Sequence, residues 1–321
     1  MRIAIIGQQA FGKSVLEAFL ARGDEVAGVF CAPEKPGSRP DPLRVAAEER
    51  GLRLFQLPNL KSLAAEGALR ALDVDLAVMA YVLQFAPQSF VNIPKHGTIQ
   101  YHPSLLPKYR GPSSINWPII KGDRETGLTI FRPTDGLDEG PVILQKTVAI
   151  GAEDTLGSVY FDHLFPLGVE AMLEAADLVV TGRHTEIVQD EEAASYEGWC
   201  RDAEARINWN THIDMIHNLI RGCDPAPGAW TTVLGQKVRL FEGRKHPVRC
   251  FGDVQGKSGE IVEIAEQSIS VSVQGGVVEI AKVRTDAGQK LAAATFAKSH
   301  GLSVGDRLES EAQSNLAAAA G

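Results

Sequence analysis

The chain has 321 residues, 44% of them hydrophobic and 22% charged, with a formal net charge of −8. That length suggests about two domains of roughly 150 residues each, and the balance is that of a folded globular protein rather than a disordered one. The acidic excess excludes a surface that attracts phosphate everywhere, while leaving room for a local basic patch.

In chain order, Arg2–Gly7 reads as a buried strand and Phe11–Arg22 as a helix, with Phe11, Val15, Leu16, Phe19 and Leu20 at helical spacing. Glu25–Cys31 is a second apolar strand, Pro33–Pro42 a loop, Leu43–Arg50 a helix and Arg53–Gln56 a short strand. Lys61–Leu72 is helical again and Leu76–Ala80 is another strand. This alternation predicts parallel strands joined by crossover helices. Gly97–His102 follows as a strand, Ser113–Lys121 as a helix, Gly127–Phe131 and Pro141–Ile150 as strands, and Thr155–Thr181 as one long helix.

Beyond Gly182 the composition turns polar, and Arg183–Glu204 reads as a linker. A helix over Thr211–Arg221 precedes five short strands: Trp230–Leu234, Val238–Phe241, Gly259–Ile264, Ser268–Val273 and Val277–Val283. Short strands punctuated by turns predict a small, OB-like β-barrel. The expected layout is an α/β, Rossmann-like domain with a mostly parallel sheet over 1–183 and a linker over 184–205. A barrel domain over 206–310 and a flexible tail over 311–321 complete it.

Cys31, Cys200, Cys223 and Cys250 form no CxxC pair, so reduced thiols in a cytoplasmic protein, with no metal, are expected. The opening apolar run is too short for a signal peptide, and no stretch approaches the roughly 18 apolar residues of a membrane span. Gly7-Gln8-Gln9-Ala10-Phe11-Gly12 resembles a dinucleotide loop, but Gln9 replaces the central glycine that lets backbone approach a pyrophosphate. Gly7 and Gly12 are therefore assigned to a tight turn and to helix packing.

Pro103 ends the strand that carries His102, which puts His102 at a C-terminal strand edge, where open α/β sheets bind ligands. Thr98, Gln100 and His102 share one face of that strand. The acidic, glycine-rich loop Thr134–Gly140 precedes the next strand and carries Asp138, which could reach His102.

The segments His102-Pro103-Ser104-Leu105-Leu106-Pro107 and Leu137–Gln145 resemble the folate-dependent formyltransferases. The segments 195–198, 205–209, 216–222 and 227–230 extend the likeness to about residues 1–300, closest to the hydrolase domain of 10-formyltetrahydrofolate dehydrogenase and to methionyl-tRNA formyltransferase. The resemblance implies 10-formyltetrahydrofolate as formyl donor and His102 and Asp138 as the catalytic pair. Gln100 stands where transferases carry Asn, its amide one methylene further out, as a third catalytic candidate. It also implies a folate pocket formed by Leu83, Gln84 and Phe85 with the loop of Thr134, Asp135 and Gly136, and no nicotinamide. The acceptor is open: water or a small amine, an amino-sugar nucleotide, or methionyl-tRNA, with a non-catalytic folate-binding protein as a further alternative. Arg110 reads either as a contact for an acidic second substrate or as a solvated surface residue. Phe241, Arg244, Lys245, His246 and Arg249 form a modest basic stretch that reads either as an ordinary solvated loop or as a nucleic-acid-binding surface of the barrel.

Overall fold

The computed structural model describes residues 1–286 and 288–309. The chain forms two compact units. One holds Met1–Ser114, Thr126–Val148 and Phe161–Glu197; the other holds Ile115–Glu125, Ala149–Tyr160 and the chain from Gly198 onward.

The first unit begins with β1 (Arg2–Gly7), α1 (Gln9–Arg22), β2 (Glu25–Cys31), α2 (Pro42–Glu49), β3 (Leu54–Gln56), α3 (Leu63–Leu72), β4 (Leu76–Ala80), α4 (Gln88–Val91) and β5 (Thr98–His102). After α5 (Asn116–Lys121), which lies in the second unit, β6 (Glu125–Phe131) and β7 (Val142–Ala149) complete a seven-stranded sheet. Its order is β3-β2-β1-β4-β5-β6-β7. The strands from β3 to β5 are parallel, and β6 runs antiparallel to β5. Residues 4–6 of β1 and all of β4 are buried on both faces, which is why they read as continuous apolar runs.

The chain winds outward from β1 to β3 and returns on the other side of β1 as β4, so the strand order reverses between these two neighbours. Gly7 pairs with Ala80 at that point. A Cβ on Gly7 would run into the Ala80 carbonyl oxygen, and one on Gly12 would press on Leu43. These glycines serve close packing, as the sequence suggested. Asp41 holds the same turn: its carboxylate accepts the Gln9 amide at 2.9 Å and also caps α2 through the Leu43 amide.

The predicted helix over Thr155–Thr181 is broken. A capping box between Thr155 and Ser158 opens α6 (Leu156–Ser158), a π-helical stretch covers Val159–Leu164, and α7 (Phe165–Val180) follows. Pro166 lacks the N–H that would close an ordinary turn, and the wider turn before it accommodates that loss. Residues 184–197 also depart from the free connection expected over 184–205. Ile187 exchanges backbone hydrogen bonds with Val142 at 2.8 and 2.9 Å, so this segment is part of the sheet unit.

The second unit contains α8 (Ile213–Gly222), β8 (Ala229–Val233), β9 (Gln236–Pro247), β10 (Ile261–Ile264), β11 (Ile269–Val273), β12 (Gly276–Thr285), β13 (Leu291–Ala292) and α9 (Ala293–Ser299). The antiparallel path is β10-β11-β12-β9-β8, with β13 paired to β12. Its two ends are joined by residues 305–309. Gly305 donates to Ile261 O, Asp306 O accepts from Ile261, and Glu309 donates to Thr232 O at 3.0 Å. Glu309, near the end of the barrel domain expected over 206–310, is thus part of the closure, and the tail expected over 311–321 lies outside the described residues. Trp209 fills the centre, fully buried, with its indole N–H on Thr231 Oγ1 at 2.9 Å. Burying such a side chain contributes about 1.5–3 kcal/mol.

Of the basic stretch, Arg244, Lys245 and His246 lie in strand β9, and Arg249 follows its end. Phe241 points into the core, while Lys245 pairs with Asp214 and His246 with Glu279. Cys200 and Cys223 are both buried, with their sulfurs 3.8 Å apart. Cys31 is buried in the first unit, where loss of water pushes its thiol up to about 12. No helix among the described residues is long and apolar enough to cross a membrane.

Candidate active site

β5 delivers His102 to the end of the sheet, buried and held from two sides. Its Nε2 lies 2.9 Å from the Tyr109 carbonyl oxygen. A carbonyl can only accept, so Nε2 carries the proton and Nδ1 is left as the basic nitrogen. Nδ1 faces Oδ2 of Asp138 at 3.6 Å, with both side chains about nine-tenths buried. The arrangement can take up a proton at Nδ1 and stabilise the resulting imidazolium with a carboxylate.

The loop that follows His102 is pinned by its own side chains. Ser104 Oγ donates to Lys108 O at 2.6 Å. Thr129 Oγ1 donates to Ser104 O and accepts the Leu106 amide, and Gln145 donates to Leu106 O at 2.7 Å. Thr129 and Gln145 were not singled out in the sequence, because nothing local marks a strand residue as a partner for a distant loop.

Asp138 occupies the left-handed region, with φ at 55°. Its Oδ2 accepts the Gly111 amide at 2.9 Å. Its own carbonyl accepts from Gln189 Nε2 at 2.8 Å, and the same nitrogen donates to Gly140 O at 2.7 Å. The oxygen of that amide accepts Nε and Nη2 of Arg110, at 3.1 and 2.8 Å.

Both sequence readings of Arg110 are overturned. It is fully buried, neither a surface residue nor open to a substrate. Its guanidinium meets both oxygens of Glu191 and the Tyr196 hydroxyl, and the Tyr196 hydroxyl donates on to Glu139 at 2.6 Å. The hydrogen bonds to Glu191 raise the Arg110 pKa and hold the Glu191 carboxyl below its ordinary range. Gln189 was missed because it sits in a polar run. The one signal was the apolar pair Ile187-Val188 inside that run, which marks an added strand-like pairing.

Gln100 sits two residues before His102, between Met79 of β4 and Phe131 of β6, half-buried. Among the described residues its side-chain amide meets no hydrogen-bond partner. Leu83 and Phe85 follow β4 and are 58% and 44% exposed, too open for plain core packing. Gln84 donates to Leu57 O and Pro58 O at 3.0 Å. Asp135 accepts the Gln88 amide at 3.1 Å, and the Gln88 side chain donates to Pro133 O. The structure therefore ties the loop of Thr134, Asp135 and Gly136 to the segment just after Phe85. Tyr81, Leu83, Phe85 and Leu137, on these two loops, are large apolar side chains left exposed.

Residues 1–175 match the formyl transferase family, and residues 200–301 match the formyl transferase C-terminal domain. The chain belongs to the folate-dependent formyltransferase family. It is 41% identical over 248 residues to mitochondrial 10-formyltetrahydrofolate dehydrogenase of Homo sapiens, covering 75% of this chain and 26% of that protein. The chain thus spans about a quarter of that relative's length. It is 36% identical over 300 residues to methionyl-tRNA formyltransferase of Dinoroseobacter shibae, covering 91% of this chain and 95% of that protein. HypX from Aquifex aeolicus, solved in complex with tetrahydrofolic acid, shares the formyltransferase fold at a TM-score of 0.68. There the identity is 20%, over 97% of this chain and 51% of that one.

Proposed function

We propose that this formyltransferase-family chain is an enzyme that releases tetrahydrofolate from 10-formyltetrahydrofolate, passing the formyl group to water or to a small amine. The observation that carries the reading is the buried His102–Asp138 pair, with Nε2 committed to Tyr109 O and Nδ1 facing the carboxylate. The exposed apolar loops around Leu83, Phe85 and Leu137 provide a surface for the pterin.

In this reading the nucleophile, water or an amine, adds to the formyl carbon and gives up a proton to the His102–Asp138 pair. The tetrahedral intermediate carries an oxyanion, which the imidazolium and the Gln100 amide stabilise. N10 then takes a proton from the same pair, the C–N10 bond breaks, and tetrahydrofolate leaves with formate or a formamide as the second product. A cytoplasmic setting accords with this chemistry.

A second reading, methionyl-tRNA formyltransferase, draws on the near full-length match to such an enzyme. Charge weighs against it. In the barrel unit Lys237 and Arg239 pair with Asp202, Lys245 with Asp214, Lys282 with Glu242 and Lys290 with Asp224. Cations neutralised within the chain release few counterions from a phosphate backbone.

The test is incubation of the protein with 10-formyltetrahydrofolate alone, measuring formate and tetrahydrofolate, beside His102→Ala and Asp138→Ala. Release lost in both variants supports hydrolysis. Turnover only on adding a small amine or an amino-sugar nucleotide selects a small-molecule transferase. Turnover only with methionyl-tRNA sinks the favoured reading, and binding without turnover moves the chain to a folate-binding role.

A further inference from the structure

We infer that Gln189, locked in place by Arg110, is a positioning residue that holds Asp138 at His102. This rests on the proposed catalytic role of the His102–Asp138 pair.

The loop Asp138–Gly140 has little regular structure of its own, and Asp138 adopts a left-handed backbone that costs a non-glycine residue roughly 1 kcal/mol or more. Something outside the loop must fix it. The Gln189 amide nitrogen donates to two carbonyls of the loop, those of Asp138 and Gly140, at 2.8 and 2.7 Å. Both of its protons are used, which sets the 138–139 and 140–141 peptides of the loop. Gln189 is itself buried, and its oxygen is the target of two Arg110 donors.

That second contact fixes the amide's orientation. A guanidinium only donates, so the Gln189 oxygen must face Arg110 and the nitrogen must face the loop. Arg110 cannot swing away, because Glu191 accepts two of its nitrogens and Tyr196 a third contact. Tyr196 carries the hold to Glu139, so three consecutive loop residues are fastened from one arginine. The residue after Arg110 is Gly111, whose amide grips the Asp138 carboxylate directly. One end of the 102–111 loop therefore sets both the backbone and the carboxylate of Asp138, and the other end carries His102.

Gln189→Met keeps the length without hydrogen bonds, and Gln189→Glu keeps an acceptor for Arg110 but cannot donate to the carbonyls. The measurements are kcat and KM for 10-formyltetrahydrofolate, with its acceptor, in each variant. The same is done for Asp138→Ala and for the double variant Asp138→Ala/Gln189→Met, with a melting curve for every protein. The expected result is a kcat loss of about 10²-fold in both Gln189 variants with KM little changed, and no further loss when Gln189→Met is added to Asp138→Ala. Full activity in Gln189→Glu, losses that multiply in the double variant, or loss of the folded state in both single variants each overturn the inference. Unimpaired turnover in Asp138→Ala overturns instead the catalytic reading on which it rests.

Discussion

The amide of Gly111 donates to Oδ2 of Asp138 at 2.9 Å, from a backbone with φ at +104°. A Cβ there would lie 2.5 Å from the Glu197 carbonyl oxygen. Gly111→Ala therefore meets both a left-handed backbone and a backbone clash. It is expected to cost about 1–3 kcal/mol of stability and to lower kcat at least as much as Gln189→Met. Urea denaturation and steady-state kinetics check this; a variant with wild-type kcat would detach the Gly111 contact from catalysis.

Gln100 lies two residues before His102 on β5. Gln100→Leu is expected to reduce kcat by ~10²-fold, the usual cost of removing one oxyanion donor. Gln100→Asn restores the amide on a shorter arm and is expected to fall between Leu and wild type. Equal rates for all three would remove Gln100 from the chemistry.

His217 is fully buried in α8, with the Glu153 carboxylate 3.6 Å from Nε2. Burial lowers its pKa from 6.5, with Arg221 and Lys245 adding repulsion and Glu153 opposing. The unfolded chain then binds a proton at a higher pH than the folded one. Stability is accordingly expected to fall as pH drops below about 6.5 and to level off on this account once pH passes below the folded value. His217→Met should flatten that slope in a series of melting curves from pH 7.5 to 5; an unchanged slope would assign it to other groups.

The paired cations of the barrel predict a weak salt dependence. Raising salt from 50 to 200 mM is expected to change kcat/KM by less than about threefold, whereas a protein neutralising six to ten phosphates would lose ~10³–10⁵ in affinity. A steep decline with salt would revive the tRNA reading.

Thr231 accepts the indole N–H of Trp209 and donates to the Glu309 carbonyl at 2.8 Å. Thr231→Val leaves both groups without a partner and is expected to destabilise the protein by about 1–3 kcal/mol, read from urea denaturation. A loss below a few tenths of that would mean the barrel relaxes around the change.

The strand–helix alternation of the first sheet was legible because its central strands are buried on both faces and its helices carry apolar spacing. His102 and Asp138 were legible as a pair through motif and resemblance, and their side chains do face each other. The Arg110–Gln189 contacts were not legible, since a charged or amide residue in a polar stretch gives no sign of burial until a distant segment folds over it. The length of β9 escaped for a related reason: Arg244, Lys245 and His246 break the apolar pattern, yet as cross-strand neighbours of β12 they complete its ladder. The π-helical stretch carried one signal, Pro166, which marks a disturbed turn without saying how the turn is resolved.

Residues 305–309 carry a consequence for colloidal behaviour. They hydrogen bond to Ile261 at the start of β10 on one side and to Thr232 of β8 on the other, so part of the row of N–H and C=O groups on each terminal strand is taken up. An exposed row of that kind templates pairing with another chain. A chain cut before Gly305 would free those groups on both strands at once, so light scattering should show it self-associating at concentrations where the intact protein stays dispersed.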